Sequence, residues 1–417
     1  MSKNLGKRFW SAMLIFGLMG QIAWVVENMY FNVFIYKMFH ATAAQISAMV
    51  MASAVMAAVT TLVMGAVSDK VGSRKAFMSV GYMLWGVSIL VFAYIRSVIL
   101  TIVMDCVMTF FGSTANDAAY NAWLTDRGDS TNRGKIEGIN AMLPLVSILI
   151  VFGSFMGFDL DKQSSWKIIY YIIGGCTFLI GFAGLFLIED SKDIRPSKDS
   201  MLQTLIYSFR PSVMAQNGKL YIVLALSAIF GTSIQVFMPY IIIYYERTLG
   251  ITNYALVLAP TILIASLVTA LYGRSYDKKG FLPSMIPAII TLLLGFVTLF
   301  FFKSLAPVLI GSLLCYTGYL TGSSVFGAMI RDYIPENRSG QFQGIRIIAG
   351  VFIPGLIGPA IGSAVLRNAQ LIVNNDGTTS FLPNRNIWAA AFVVIIVLIL
   401  IIAIVSKYLK TDNRRTN

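Results

Sequence analysis

The sequence predicts an all-α membrane protein of twelve transmembrane helices, arranged as two six-helix pseudo-symmetric bundles. Three observations predict this: the composition, the spacing of the apolar runs, and an internal repeat. Of 417 residues, 57% are hydrophobic and only 12% are charged, and mean hydropathy is +0.74. A soluble domain carries about 25% charge and could not hide so much apolar surface. A spanning helix needs roughly 20 apolar residues, so a chain of this length supplies about a dozen with short loops.

Apolar runs long enough to cross hydrocarbon lie near residues 9–36, 42–67, 76–95, 98–123, 138–158 and 168–188. A polar stretch from Glu189 to Gly218, with Lys192, Arg195, Pro196, Lys198 and Arg210, follows them. Six more runs lie near 219–245, 254–275, 282–302, 305–330, 344–366 and 387–406. The expected organisation is an N-terminal bundle over 1–189, a cytoplasmic central loop over 190–218 and a C-terminal bundle over 219–417. The first run follows Lys3, Lys7 and Arg8 as a signal peptide would, but it continues to about Tyr36 without a small-residue cleavage site, so it is read as a spanning helix.

Basic residues in short loops are retained in the cytoplasm. Lys37, Arg96, Lys162, Lys167, Arg247, Lys303, Arg367 and Arg385 fall on one side of the expected membrane, which leaves 24 of the 32 Lys and Arg residues on the other. Both termini are therefore expected in the cytoplasm, with the protein in the cell membrane. The net charge of +13 does not indicate nucleic acid, because the cations alternate with apolar runs and form no continuous basic face. Cys106, Cys176 and Cys315 lie inside apolar runs without metal-ligand spacing. His40, the one histidine, sits at a loop, and no P-loop or long soluble insertion is present. An enzyme is not expected, nor is a cofactor beyond a coupling ion, H⁺ or Na⁺.

The two halves repeat each other. Gly65, Asp69 and Gly72 after the second run recur at the same spacing as Gly273, Asp277 and Gly280, 208 residues on. Asn132, Arg133, then Glu137, Gly138, Ile139 after the fourth run recur as Asn337, Arg338, then Gln343, Gly344, Ile345, at offsets of 205 and 206. Two matches at nearly one offset, in equivalent loops, indicate an internal duplication.

The segment Gly65-Ala-Val-Ser-Asp69-Lys-Val-Gly72-Ser-Arg74-Lys75 resembles the signature of the major facilitator superfamily between its second and third helices. The resemblance implies the major facilitator fold and a transporter, with Gly65, Asp69, Gly72 and Arg74 in a loop that locks the two bundles when the cavity opens outward; Asp277 stands at the repeated position. Within the superfamily, Gly20-Gln21-Ile-Ala-Trp24-Val-Val-Glu27-Asn28 is similar to the sucrose-type carriers of the glycoside, pentoside and hexuronide cation symporter group. Asn121-Ala-Trp-Leu-Thr-Asp126 is similar to the end of that group's fourth helix, although Ala118-Ala119 stands where Gly-Pro is usual.

Charged residues inside hydrocarbon cost about 2.5–3.5 kcal/mol even on a lenient scale, so each demands an explanation. At 100° per residue Gly17, Gln21, Trp24, Asn28 and Asn32 fall within about 80° of one helix face, with Glu27 about 60° beyond its edge. Asp105, Thr109, Gly112, Asn116 and Tyr120 form a similar stripe on the fourth run, flanked by Ser113 and Asp117. Such polar stripes are expected to line a central cavity. Glu27 reads either as a proton or substrate carboxylate or as a structural buried acid, and Asp105, roughly 10 Å from the outer end, carries the same two readings. Gln21, Trp24, Asn28, Asn116 and Gln235 complete the candidate substrate and cation set, Trp24 as a stacking surface for a sugar ring or as packing. Gln235 stands 208 residues after Glu27, an amide at the duplicated position of an acid. Asp117 and Glu137 are expected to be structural, paired with Arg127, Arg133 or Arg346 in a cytoplasmic gate.

The leading expectation is a monomeric cation-coupled symporter of a sugar-like small molecule. A proton-coupled exporter of amphiphilic drugs is the alternative, favoured by the 20 Met residues. A non-transporting sensor would carry an output domain or a long tail.

Overall fold

The computed structural model describes residues 5–128, 132–190, 207–334, 342–374 and 377–409. Among them, twelve helices are long and apolar enough to cross a membrane. Spans one to six are Lys7–Phe39, Ala43–Val71, Lys75–Tyr94, Val98–Arg127, Lys135–Phe155 and Gln163–Leu187. Spans seven to twelve are Gly218–Thr248, Ala255–Tyr272, Phe281–Phe301, Leu305–Tyr333, Gly344–Val365 and Asn386–Ser406. Leu179, Leu271 and Ile404 are more than 60% exposed, a surface that suits lipid and not water.

Local chemistry sets the helix ends. Span one stops at His40, whose left-handed φ of 52° breaks the ladder. Span two starts with a capping box in which the Gln45 N–H donates to Thr42 Oγ1 at 3.3 Å and the Thr42 N–H donates to Gln45 Oε1 at 2.8 Å. It ends at Gly72 with φ 71°, and the helix of span eight ends at Gly280 with φ 76°. The last glycine of the repeated motif is thus needed in both halves because a Cβ is strained in that conformation.

The chain divides into two compact units, Met1–Leu205 and Ile206–Asn417. Of the central loop expected at 190–218, residues 191–206 lie outside the described residues, and Pro211–Gln216 forms a short helix. In the first unit span three packs tightly on span six: a Cβ on Gly174 would come within 2.8 Å of the Gly86 carbonyl oxygen. Phe31, Phe92, Phe34, Trp166 and Tyr170 fill its core, with ring centroids 4.5 Å apart for Phe31 and Phe92 and 5.2 Å for Phe34 and Trp166. Spans one and four each contain a wide π-helical stretch, Val26–Phe31 and Ser113–Tyr120. π-Turns inside α-helices are frequent at functional sites.

In the second unit the corresponding tight pair is spans nine and ten, where a Cβ on Gly318 would lie 2.6 Å from Leu292 Cβ. Trp388 of span twelve packs on Phe237, ring centroids 4.7 Å apart. The loop before span twelve carries a two-stranded antiparallel hairpin, β1 Leu371–Val373 and β2 Thr379–Phe381, with Ile372 opposite Ser380. The apolar-run reading left this hairpin as loop because three-residue strands leave no periodic signal.

Candidate functional site

Two carboxyl groups meet inside the first unit. Glu27 lies on the π-helical turn of span one and is 6% exposed; Asp105 of span four is 2% exposed. Ser53 of span two stands between them. Its hydroxyl donates towards Asp105 Oδ2 in a close contact and lies 3.3 Å from Glu27 Oε1. Thr109, one helical turn after Asp105, places its hydroxyl 2.8 Å from Glu27 Oε1 and 3.3 Å from Ser53 Oγ. The other oxygen of each carboxyl, Glu27 Oε2 and Asp105 Oδ1, is buried without a hydrogen-bond partner among the described residues. Asp117 is the further acid whose charge reaches Glu27.

The widened turn explains why Glu27 belongs to this group. A straight helix puts it about 60° outside the polar stripe of span one, whereas the π-turn changes the angular spacing and directs it at span four. Asn28, the next residue on that turn, is exposed, and its amide folds back on the Trp24 carbonyl at 2.8 Å. Gln21 and Trp24 are half-buried.

The polar stripe of span four was expected to line a cavity, and the structure buries it against its own bundle. Asn116, 2% exposed, accepts from the Tyr82 hydroxyl at 3.2 Å. A Cβ on Gly20 would lie 2.7 Å from Asn116 Oδ1, so the glycine lets spans one and four approach. Trp24 stacks obliquely on Trp85 at 5.0 Å, with Asp117 and Ser113 alongside.

A second constellation ties together the loop ends of spans two, three, four and six that lie at Arg74. Arg74, 6% exposed, donates from Nε to Asp126 at 2.9 Å, from one terminal nitrogen to Ser68 Oγ at 2.7 Å, and from the other to Asp69. Burial pulls its pKa down, and the hydrogen bonds and charges of Asp126 and Asp69 more than offset this, so it stays above the ordinary arginine value. Asp190, just past span six, accepts the Arg74 and Lys75 backbone N–H groups at 2.8 Å each and the Ser73 hydroxyl at 2.8 Å. It therefore caps span three from a distance and puts a carboxylate at that helix's positive end.

Of the three cations expected at the gate, Arg127 pairs with Glu189 at 3.8 Å; Asp117 lies up the helix beside Trp24, and Glu137 is exposed on span five. Gly65 is half-buried, 4.0 Å from Ala118 when given a Cβ. The side chains of Arg133 and Asp277, and residues Asn337 and Arg338, lie outside the described residues. Arg346 lines a cleft of about 230 Å³ within the second unit, with Leu224, Ser227, Ile330, Ile347 and Gly350. Gln235 is half-buried where span seven packs on Gly358. In the same unit, Tyr245 and Ser312 share a 2.5 Å hydrogen bond and the Tyr316 hydroxyl is buried without a partner among the described residues.

Sequence reasoning missed Ser53 and Asp190 as site residues and gave Asp126 no role beyond its motif. Ser53 sits in an apolar run rich in Ala, Ser and Met, where a small hydroxyl reads as helix packing.

No curated protein matches the chain. Solved structures with a similar fold include the nucleoside transporter NupG, at 12% identity and TM-score 0.72 over 94% of this chain and 98% of that one. A bacterial homologue of the human lysosomal transporter Spinster aligns at 13% and 0.68 over 95% and 96%. A D-xylose-proton symporter aligns at 14% and 0.69 over 94% and 97%. At these identities the shared property is the fold. The family match covers residues 9–359, well over half of the chain, and with twelve spanning helices it identifies the protein as a multi-pass membrane transporter of the Major Facilitator Superfamily.

Proposed function

We propose that this transporter is a secondary active symporter in which Glu27 and Asp105 couple the downhill movement of a proton or Na⁺ to the uptake of a hydroxyl-rich molecule of the sugar or glycoside class. The observation that carries the reading is the pair itself: two buried carboxyl groups, each with an oxygen that has no hydrogen-bond partner among the described residues, and with no Lys or Arg of the described residues acting on them. Two such anions cannot remain bare in hydrocarbon; they need a proton or a cation, and releasing it on one side and taking it on the other is coupling. The sugar-carrier likeness of Gly20–Asn28 supports the substrate class, as do the hydroxyl and amide groups of Gln235, Tyr316 and Tyr319 in the second unit. The protein reads as a monomer in the cell membrane with both termini cytoplasmic, from the distribution of basic residues. On that orientation Gly65, Asp69, Gly72 and Arg74 sit at the cytoplasmic end, and with Asp277 they serve the gate that the superfamily motif implies.

The test is uptake of radiolabelled sucrose, D-xylose and uridine into proteoliposomes under imposed proton or sodium gradients. One elementary charge moving through 100 mV supplies about 2.3 kcal/mol, enough for roughly 50-fold accumulation of a neutral solute. Glu27→Gln and Asp105→Asn are expected to reduce accumulation to near equality while leaving substrate exchange. If both variants accumulate solute like the parent, neither acid couples transport.

A further inference from the structure

The oxygen cluster around Glu27 holds more short contacts than its hydroxyls can supply with hydrogens. Ser53 Oγ approaches Glu27 Oε1 at 3.3 Å, Thr109 Oγ1 at 3.3 Å, and Asp105 Oδ2 more closely still. Thr109 Oγ1 lies 2.8 Å from Glu27 Oε1 and 2.7 Å from the Asp105 carbonyl oxygen. Ser53 and Thr109 own one hydroxyl hydrogen each. Thr109 alone faces two acceptors at full hydrogen-bond distance, and Ser53 faces two carboxyl oxygens. A carboxyl group that is itself a donor adds a third hydrogen, enough for the three shortest of these contacts.

We propose that Ser53 is a positioning residue through which Glu27 and Asp105 share a single proton, passing it from one carboxyl group to the other. The inference rests on the reading of this pair as the coupling site and adds the ion, a proton, and its route. In one state Asp105 Oδ2 carries the hydrogen and donates to Ser53 Oγ, while the Ser53 hydroxyl donates to Glu27 Oε1. Transfer breaks the Asp105 O–H bond and forms one at Ser53 Oγ, as the original Ser53 hydrogen moves to Glu27 Oε1. The negative charge moves from Glu27 to Asp105, and Ser53 is a neutral hydroxyl before and after. In the second state Glu27 donates to Thr109 Oγ1, Thr109 donates to the Asp105 carbonyl, and Ser53 donates to the Asp105 carboxylate. Every hydrogen in both states lies along an observed contact.

Spans one, two and four supply the contacts of the pair. Asp117 of span four acts on Glu27, and the two acids in turn reach Cys106 of span four and, from Asp105, Tyr170 of span six. None of these groups is a cation. A hydrogen-bonded acid–hydroxyl–carboxylate chain favours the singly protonated pair over both the empty and the doubly protonated ones, the behaviour of two acids that titrate as a unit.

An infrared pH titration of the purified protein tests this without a substrate. The C=O band of a protonated carboxyl group should persist across a broad pH interval in the parent, and both Glu27→Gln and Asp105→Asn should alter it. Ser53→Ala is expected to narrow that interval by about one pH unit, the net worth of roughly one hydrogen bond, with helical circular dichroism unchanged. Ser53→Thr, which keeps the hydroxyl, is expected to restore it. An unchanged interval in Ser53→Ala, a band that one of the two carboxyl substitutions leaves untouched, or a band displaced by Na⁺ would overturn the proposal. If the band behaves as described while Glu27→Gln still accumulates solute under a gradient, proton sharing stands and the coupling reading falls.

Discussion

Replacing Asp190 with alanine removes a cap that the chain supplies from more than 110 residues away. The carboxylate accepts the first two free N–H groups of span three, at Arg74 and Lys75, and orients the Ser73 hydroxyl, each at 2.8 Å. Losing a capping side chain costs typically about 1 kcal/mol, and losing a negative charge at a helix N-terminus costs about 0.3–1 kcal/mol more. Two N–H groups then lie at a half-buried junction, so the total is about 2 kcal/mol. For a unit of roughly 200 residues this corresponds to a fall in Tm of about 4–8 °C. Asp190→Asn keeps an acceptor oxygen and loses the charge, so about half the effect is expected. The assay is thermal unfolding in detergent followed by helical circular dichroism. A shift below about 1 °C for Asp190→Ala would refute the distant cap.

The Arg74 cluster yields a graded expectation: Asp126, whose side chain is 26% exposed, should matter more than Asp69, which is 55% exposed. Asp126→Ala is expected to destabilise the first unit by about 1–2 kcal/mol and Asp69→Ala by less than about 0.5 kcal/mol in the same melts; equal effects would show that solvent does not screen the Asp69 pair. For topology, in a Cys176→Ser background, cysteine in place of Asn375 should react with an impermeant thiol reagent from outside intact cells and cysteine in place of Ser200 should not. The reverse pattern would invert the orientation.

The spans were legible because each must bury about 20 residues of apolar side chain in lipid, a requirement written in contiguous sequence. The repeated glycines were legible for a related reason: Gly72 and Gly280 end their helices with positive φ, a backbone demand that few other residues meet. The acids also stood out, since Glu27 and Asp105 are conspicuous in hydrocarbon whatever surrounds them. What they face was not legible. A uniform 100° per residue put Glu27 outside the polar stripe, whereas on the π-turn at Val26–Phe31 it meets Ser53 and Thr109. The partners that Glu27 meets from this turn, Ser53 and Thr109, lie on spans two and four, outside the local sequence. Ser53, Asp126 and Asp190 acquire their importance from partners 26 to 117 residues distant. The sequence by itself determined how many helices cross the membrane and which residues are out of place in lipid; the tertiary structure alone decided which of those residues meet, because a hydrogen bond depends on a few tenths of an ångström between helices that sequence order does not make neighbours.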